Sequence, residues 1–124
     1  MKRKRPSILV NDIAAVTGGA LSILKQFLRE VSLSSLAQEF EWYVFVGSSE
    51  LERYEEFEHI HVVNMDKQSY LKRFSWLSKE IWNWTKVHGV DPAVAVSLMN
   101  VGFRNFTGPK VVYVHQPLQQ VRMF

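Results

Sequence analysis

Short apolar runs alternate along the chain with longer segments in which apolar residues recur every three or four positions. The short runs predict strands over 7–13, 42–46, 60–63, 93–98 and 111–114. The longer segments predict amphipathic helices from Ala20 to about Gln38 and from Lys67 to His88. Strands that alternate with helices indicate right-handed crossovers and a parallel sheet. We therefore predict an α/β fold, a Rossmann-like parallel sheet of about five strands with helices on both faces.

The second predicted helix has a single apolar stripe, and two of its tryptophans fall off that stripe. The stripe contains Tyr70, Phe74, Leu77, Ile81 and Trp84. Core packing explains these five residues better than contact with a membrane surface does. Trp76 and Trp82 lie elsewhere on the helix, so they become binding candidates if they are exposed.

The length and charge of the chain set its domain organisation. With 124 residues, 47% of them hydrophobic, it can enclose one core. Residues 2–5 supply four of the fifteen basic residues, so eleven remain against twelve acidic ones. We predict a disordered basic head over 1–6 and one nearly neutral domain over 7–124. The head could bind an anionic membrane or nucleic acid, although a solubilising role is commoner for such charge runs.

The cysteine content does not indicate the compartment, and hydropathy bears on it only through the length of the first apolar run. The chain has no Cys, which excludes disulfides and thiolate metal sites. After the basic head, the polar pair Asn11-Asp12 ends the first apolar run too early for a signal peptide. We expect a cytoplasmic protein, with peripheral contact at the inner face of the membrane left open. The sequence also has acceptor patterns for N-glycosylation at Asn83 and Asn105. We discount both because we predict no signal peptide.

Gly18 and Gly19 follow the first strand, where the first helix begins. A glycine pair there lets the backbone approach a phosphate, and the amino end of the helix attracts it. The segment is neither a G-x-G-x-x-G fingerprint nor a P-loop, which weakens the case for a nucleotide-binding oxidoreductase domain. A tight turn that needs glycine only for backbone room is an equally good explanation.

His115 follows the fifth predicted strand directly, at the end of the sheet where parallel folds bind ligands. An imidazole there could act as a general base or, when protonated, stabilise developing negative charge. A packed or capping histidine is the commoner case for a single residue of this kind. His59 and His61 alternate on one strand, but no third well-spaced ligand accompanies them, so we predict no metal site.

Two segments of the chain carry a resemblance to a known family. Ile8-Leu9-Val10-Asn11-Asp12 leads to Gly18-Gly19, and 110–118 reads Lys-Val-Val-Tyr-Val-His-Gln-Pro-Leu. Together they resemble the amino-terminal domain of the GT-B glycosyltransferases of retaining family 4, over about 7–119. Such enzymes have two Rossmann-like domains that face a cleft. The amino-terminal domain holds mainly the acceptor, and the carboxyl-terminal domain holds mainly the sugar nucleotide.

The resemblance implies a role for several residues. Gly18 and Gly19 match the loop that reaches the donor diphosphate, and His115 matches the histidine near the transferred sugar. Asn100 and Gln116 are acceptor-side candidates, and we expect the glycine pair, Asn100 and His115 to converge at the carboxyl edge of the sheet. The sugar nucleotide is then a substrate, and no cofactor is expected.

The sequence departs from the family by ending before the second domain and its paired acidic motif. We therefore expect a truncated domain, or one that needs a partner chain, which is inactive by itself. The function predicted is the acceptor-side half of a transferase that moves a hexose from a nucleoside diphosphate sugar to a polysaccharide or lipid-linked acceptor. A non-catalytic Rossmann-like binding module is the alternative.

Overall fold

The structure is a computed structural model that describes residues 5–13, 18–47, 58–65, 76–98 and 102–112. Its strands are β1 (Ser7–Asp12), β2 (Glu41–Val46), β3 (Ile60–Asn64), β4 (Pro92–Ser97) and β5 (Lys110–Val112). Its helices are α1 (Gly18–Leu33), α2 (Leu36–Glu39), a π-helix (Trp76–Glu80) and α3 (Ile81–Val87). Residues 1–4 of the predicted basic head, and residues 67–75 of the second predicted helix, lie outside the described residues.

All five strands are parallel and lie in the order β3-β2-β1-β4-β5. The predicted α/β class and the Rossmann-like sheet are thus confirmed. The central strand β1 is buried along its whole length, as a parallel strand covered on both faces should be. The edge strand β5 is exposed at all three of its positions.

One face of the sheet is covered by α1. The helix and the sheet share one buried cluster, in which Val10 and Val44 of the sheet pack with Leu21, Leu24, Leu28 and Val31 of α1. We predicted one helix to about Gln38, but the chain forms two. The Ser34 hydroxyl donates to the carbonyl of Val31 over 3.0 Å and accepts from the N–H of Leu36 over 3.2 Å. A serine side chain that bonds nearby backbone groups in this way competes with the hydrogen bonds of a helix. We attribute the end of α1 to this competition.

The opposite face is covered by the π-helix and α3. Trp76 and Ile81 are 3% and 0% exposed and pack with Phe45 and Ala95 of the sheet. The placement of Trp76 off the buried stripe was therefore wrong. A π-helix bonds residue i to residue i+5, so its turn is wider than an α-turn and brings residues five apart to one face. Trp82 is half-buried against Phe103 and Phe106, so it is not an exposed tryptophan either.

Candidate functional site

The connections of the sheet reverse direction between two neighbouring strands. From β1 the chain moves outward through β2 and β3, and it then returns to the other side of β1 to form β4 and β5. In open parallel sheets, ligands bind beyond the carboxyl ends of the two strands that flank such a reversal. The carboxyl ends of β1 and β4 therefore mark the candidate site.

Polar residues occupy these strand ends although the surrounding core is apolar. Asn11 and Asp12 end β1 with exposures of 0% and 2%, and Ser97 ends β4 with 0%. Asn11 and Ser97 lie opposite each other in the sheet register. Burying polar groups costs free energy unless they are hydrogen-bonded, so three at one edge indicate a site with a specific requirement for them.

The predicted glycine pair lies at the start of α1, the first helix after β1. Free backbone N–H groups and the positive end of the helix dipole make such a terminus favourable for a phosphate. At Gly19 the surrounding atoms do not require glycine. A Cβ there would meet no heavy atom within 4 Å, and the backbone does not adopt a positive φ. The structure therefore does not support the explanation that a tight turn requires glycine at residue 19. It leaves open space there for an approaching ligand.

Asn11 connects three parts of the chain at this edge. Its side-chain Oδ1 accepts a hydrogen bond of 2.9 Å from the indole Nε1 of Trp76. Its backbone carbonyl accepts one of 3.0 Å from the N–H of Leu98, the residue after β4. The start of the π-helix and the exit of β4 are thus both bonded to the end of β1.

The connection from β4 to β5 is held against the helical layer. The indole Nε1 of Trp82 donates to the carbonyl of Arg104 over 2.7 Å, and the side-chain amide of Asn105 donates to the carbonyl of Ser78 over 2.6 Å. Asn105 adopts a φ of 61°, in the left-handed region that asparagine tolerates better than most residues. This segment carries the chain from the candidate site back to the opposite edge of the sheet.

Three of the predicted site residues, Asn100, His115 and Gln116, lie outside the described residues. The convergence of Asn100 and His115 with Gly18 and Gly19 stays a prediction. Asn100 comes two positions after Leu98, whose N–H is bonded to Asn11.

The predicted alternation of His59 and His61 produces a polar cluster at the amino edge of the sheet, away from the candidate site. Nδ1 of His59 lies 3.3 Å from Oε2 of Glu41, and Nε2 of His61 bonds Oε1 of the same carboxylate. Nη1 of Arg5 bonds Nε2 of His59. Within the described ranges, no group of three or more His, Asp or Glu residues could hold a metal ion.

Tyr43 extends this cluster towards α3. Its ring stacks on His61 with centroids 4.8 Å apart, and it meets Trp84 edge-on at 5.8 Å. Burial raises the pKa of the Tyr43 hydroxyl above 10.0, and the nearby Glu41 carboxylate raises this pKa further. Glu41 was not a predicted site residue, and Trp76 was a binding candidate only on the condition that it was exposed, which it is not. Both depend on contacts between distant segments, for which a single sequence offers no local signal.

The comparisons with known proteins add no assignment. No protein-family model matches the chain, and neither a curated protein nor a solved structure matches it. In the part of the chain that the structure describes, no helix has both the length and the apolar character needed to cross a membrane.

Proposed function

We propose that the chain is the acceptor-side half of a retaining, metal-independent glycosyltransferase. It would help to move a hexose from a nucleoside diphosphate sugar to a polysaccharide or lipid-linked acceptor. The proposal combines the resemblance of the two sequence segments with the chemistry available at the carboxyl edge of the sheet.

One observation carries it: a glycine pair begins α1 beside the reversal point of a 3-2-1-4-5 parallel sheet. A donor diphosphate needs hydrogen-bond donors and a positive potential, and a helix terminus supplies both. The open space around Gly19 leaves room for its oxygens close to the backbone. His115 follows β5 in the sequence. Its imidazole could accept a proton or, when protonated, stabilise negative charge near the transferred sugar.

Transfer by this route requires a second domain. A transferase gains rate by holding donor and acceptor in one closed cleft, and the family places most donor contacts on its carboxyl-terminal domain. The partners proposed are therefore a nucleoside diphosphate sugar, an acceptor glycan or glycolipid, and a carboxyl-terminal domain on this chain or a separate one.

The test compares the chain joined to a carboxyl-terminal domain of the same family with its Gly19→Ala variant. A methyl group at residue 19 would occupy the space proposed for the diphosphate, so sugar transfer should fall about tenfold or more, corresponding to roughly 1.4 kcal/mol. The melting temperature should not fall, because alanine favours a helix over glycine and the site is open. Gln26→Ala is the control, since Gln26 is exposed on the same helix.

The outcomes separate the two candidate functions. Unchanged transfer in Gly19→Ala would remove the diphosphate role of the glycine pair. A two-domain protein that transfers no sugar from a panel of nucleoside diphosphate sugars would contradict the transferase proposal. If it nevertheless bound one of them, the non-catalytic binding module would be favoured.

A further inference from the structure

The side chains of Asn11 and Trp76 are too deeply buried to touch a ligand directly. Asn11 is 0% exposed and Trp76 is 3% exposed. Both nevertheless lie at the carboxyl end of β1, where the ligand of a parallel sheet is expected. Any contribution that they make to the candidate site must therefore pass through the segments to which they are bonded.

The hydrogen bond between them fixes the orientation of the Asn11 amide. An indole N–H can only donate, so it requires the oxygen of the amide and not its NH₂ group. Rotating the amide by half a turn would set donor against donor in a buried place, at a cost comparable to an unmade hydrogen bond. The Asn11 side chain is thereby held in one of its two possible orientations.

The π-helix determines where the indole lies. Its wide turn brings Trp76 and Ile81 to the sheet together, which an α-helical spacing of five residues would not do. The Asn105 side chain bonds the carbonyl of Ser78 inside the same turn. The π-helix is thus attached to β1 through Trp76 and to the β4–β5 connection through Asn105. Single π-turns of this kind occur frequently at functional sites.

We propose that Trp76 is a positioning residue for the candidate site, an inference that rests on the proposed function. Its indole N–H fixes Asn11. Through Asn11 it acts on Leu98, whose N–H is bonded to the Asn11 carbonyl where the chain leaves β4, and on Gly19 at the amino end of α1, the first helix after β1. The occupant of the site is the nucleoside diphosphate sugar or its acceptor, and Trp76 acts on either through the backbone.

The first test is spectroscopic and needs no ligand. Trp76→Phe keeps a buried aromatic ring and removes the N–H, whereas the control Trp82→Phe removes the bond to Arg104. In ¹H–¹⁵N spectra of the chain, Trp76→Phe should shift the Asn11 side-chain amide and the backbone amides of Leu98 and Gly19. Trp82→Phe should instead shift the amides around Arg104. Unmoved Leu98 and Gly19 amides in Trp76→Phe, or equal shifts in both variants, would overturn the inference.

The second test is kinetic and uses the two-domain protein. Trp76→Phe should lower kcat by about fivefold to tenfold with little change in KM for the donor, because a mispositioned site loses contacts made in the transition state. Equal loss in Trp82→Phe would indicate general destabilisation and contradict a specific role. Asn11→Ala, which removes the acceptor of the same bond, serves if Trp76→Phe fails to fold, and it should reproduce both effects.

The two tests also separate this inference from the function on which it rests. If the unmodified two-domain protein transfers no sugar, the proposed function fails, while the spectra still decide whether Trp76 controls the segments at Leu98 and Gly19. If the Leu98 and Gly19 amide signals shift in Trp76→Phe but sugar transfer keeps its normal rate, the positioning role is wrong. The proposed function is then not affected.

Discussion

The indole ring of Trp82 stacks on the phenyl ring of Phe106, with centroids 5.4 Å apart and planes inclined by 14°. This pair joins α3 to the connection between β4 and β5. The bond from Trp82 Nε1 to the Arg104 carbonyl lies beside it, so ring stacking and a hydrogen bond hold the same connection.

We expect Trp82→Ala and Phe106→Ala each to destabilise the fold, and their effects to be non-additive. Aromatic pairs contribute about 0.5–1.5 kcal/mol beyond the area that they bury. A double-mutant cycle in urea should return a coupling free energy in that range. A coupling near zero would mean that the two rings act independently.

A second prediction concerns the carboxylate of Glu41. It accepts from two imidazoles, so Glu41→Ala should lower the free energy of unfolding by about 1–3 kcal/mol. Glu58→Ala is the matched control, because its side chain is 85% exposed and lies 3.7 Å from His59. The control should change stability by less than about 0.5 kcal/mol. Equal losses in the two variants would contradict the central role of Glu41.

The raised pKa of Tyr43 predicts a loss of stability in alkali. The folded protein holds the Tyr43 proton more tightly than the unfolded chain, whose tyrosines titrate near 10.0. This contribution is complete below that pH and is lost as the pH rises through the raised value. Urea unfolding at increasing alkaline pH should therefore show a steeper decline for the unmodified protein than for Tyr43→Phe. In Glu41→Gln, an absorbance titration should show the Tyr43 pKa shifted back towards 10.0.

The basic head predicts binding to anionic membranes. The densest positive charge in the sequence is that of Lys2, Arg3, Lys4 and Arg5. Screened attraction to anionic lipid contributes about 1 kcal/mol for each basic residue near the membrane surface. Co-sedimentation should show binding to vesicles with anionic lipid, reduced by added salt. Replacing Lys2, Arg3 and Lys4 with alanine should abolish it. Equal binding to neutral vesicles would contradict a charge-driven contact.

The proposed role of His115 predicts different results in two settings. In residues 1–124 alone, we expect no measurable sugar transfer, and His115→Ala should change nothing. In the two-domain protein, the same change should lower kcat by about 10²–10⁴-fold if the imidazole takes part in proton transfer. His88→Ala is the control, because His88 is exposed on the helical layer and stacks on Trp84. Robust transfer by 1–124 alone would contradict the half-site proposal.

The sheet could be predicted from the sequence because its signals are local. Each strand is an apolar run bounded by polar or turn residues, and β1 to β4 appear within one residue of their predicted bounds. The parallel direction follows from the alternation of strands and helices. The strand order came only from the structure.

The parts that could not be predicted depend on geometry that a regular period does not describe. Trp76 is buried because the π-helix alters the spacing of its face, so an α-helical period counted back from Ile81 misplaces Trp76. The contact between His61 and Glu41 requires β2 and β3 to be adjacent in a known register, where Tyr43 lies opposite His61. The bond from Trp76 to Asn11 joins residues that are 65 positions apart.

The Asn105 side chain has a consequence for how the protein is produced. Asn105-Phe106-Thr107 is an acceptor sequence for N-glycosylation, and the atom that would carry the sugar, Nδ2, already donates to the Ser78 carbonyl. A glycan there would replace one hydrogen of that amide and place a bulky saccharide between the π-helix and the β4–β5 connection. Passage through a secretory pathway would therefore separate two segments that the unmodified chain holds together. A host that attaches no N-linked glycan leaves the bond from Asn105 to Ser78 available.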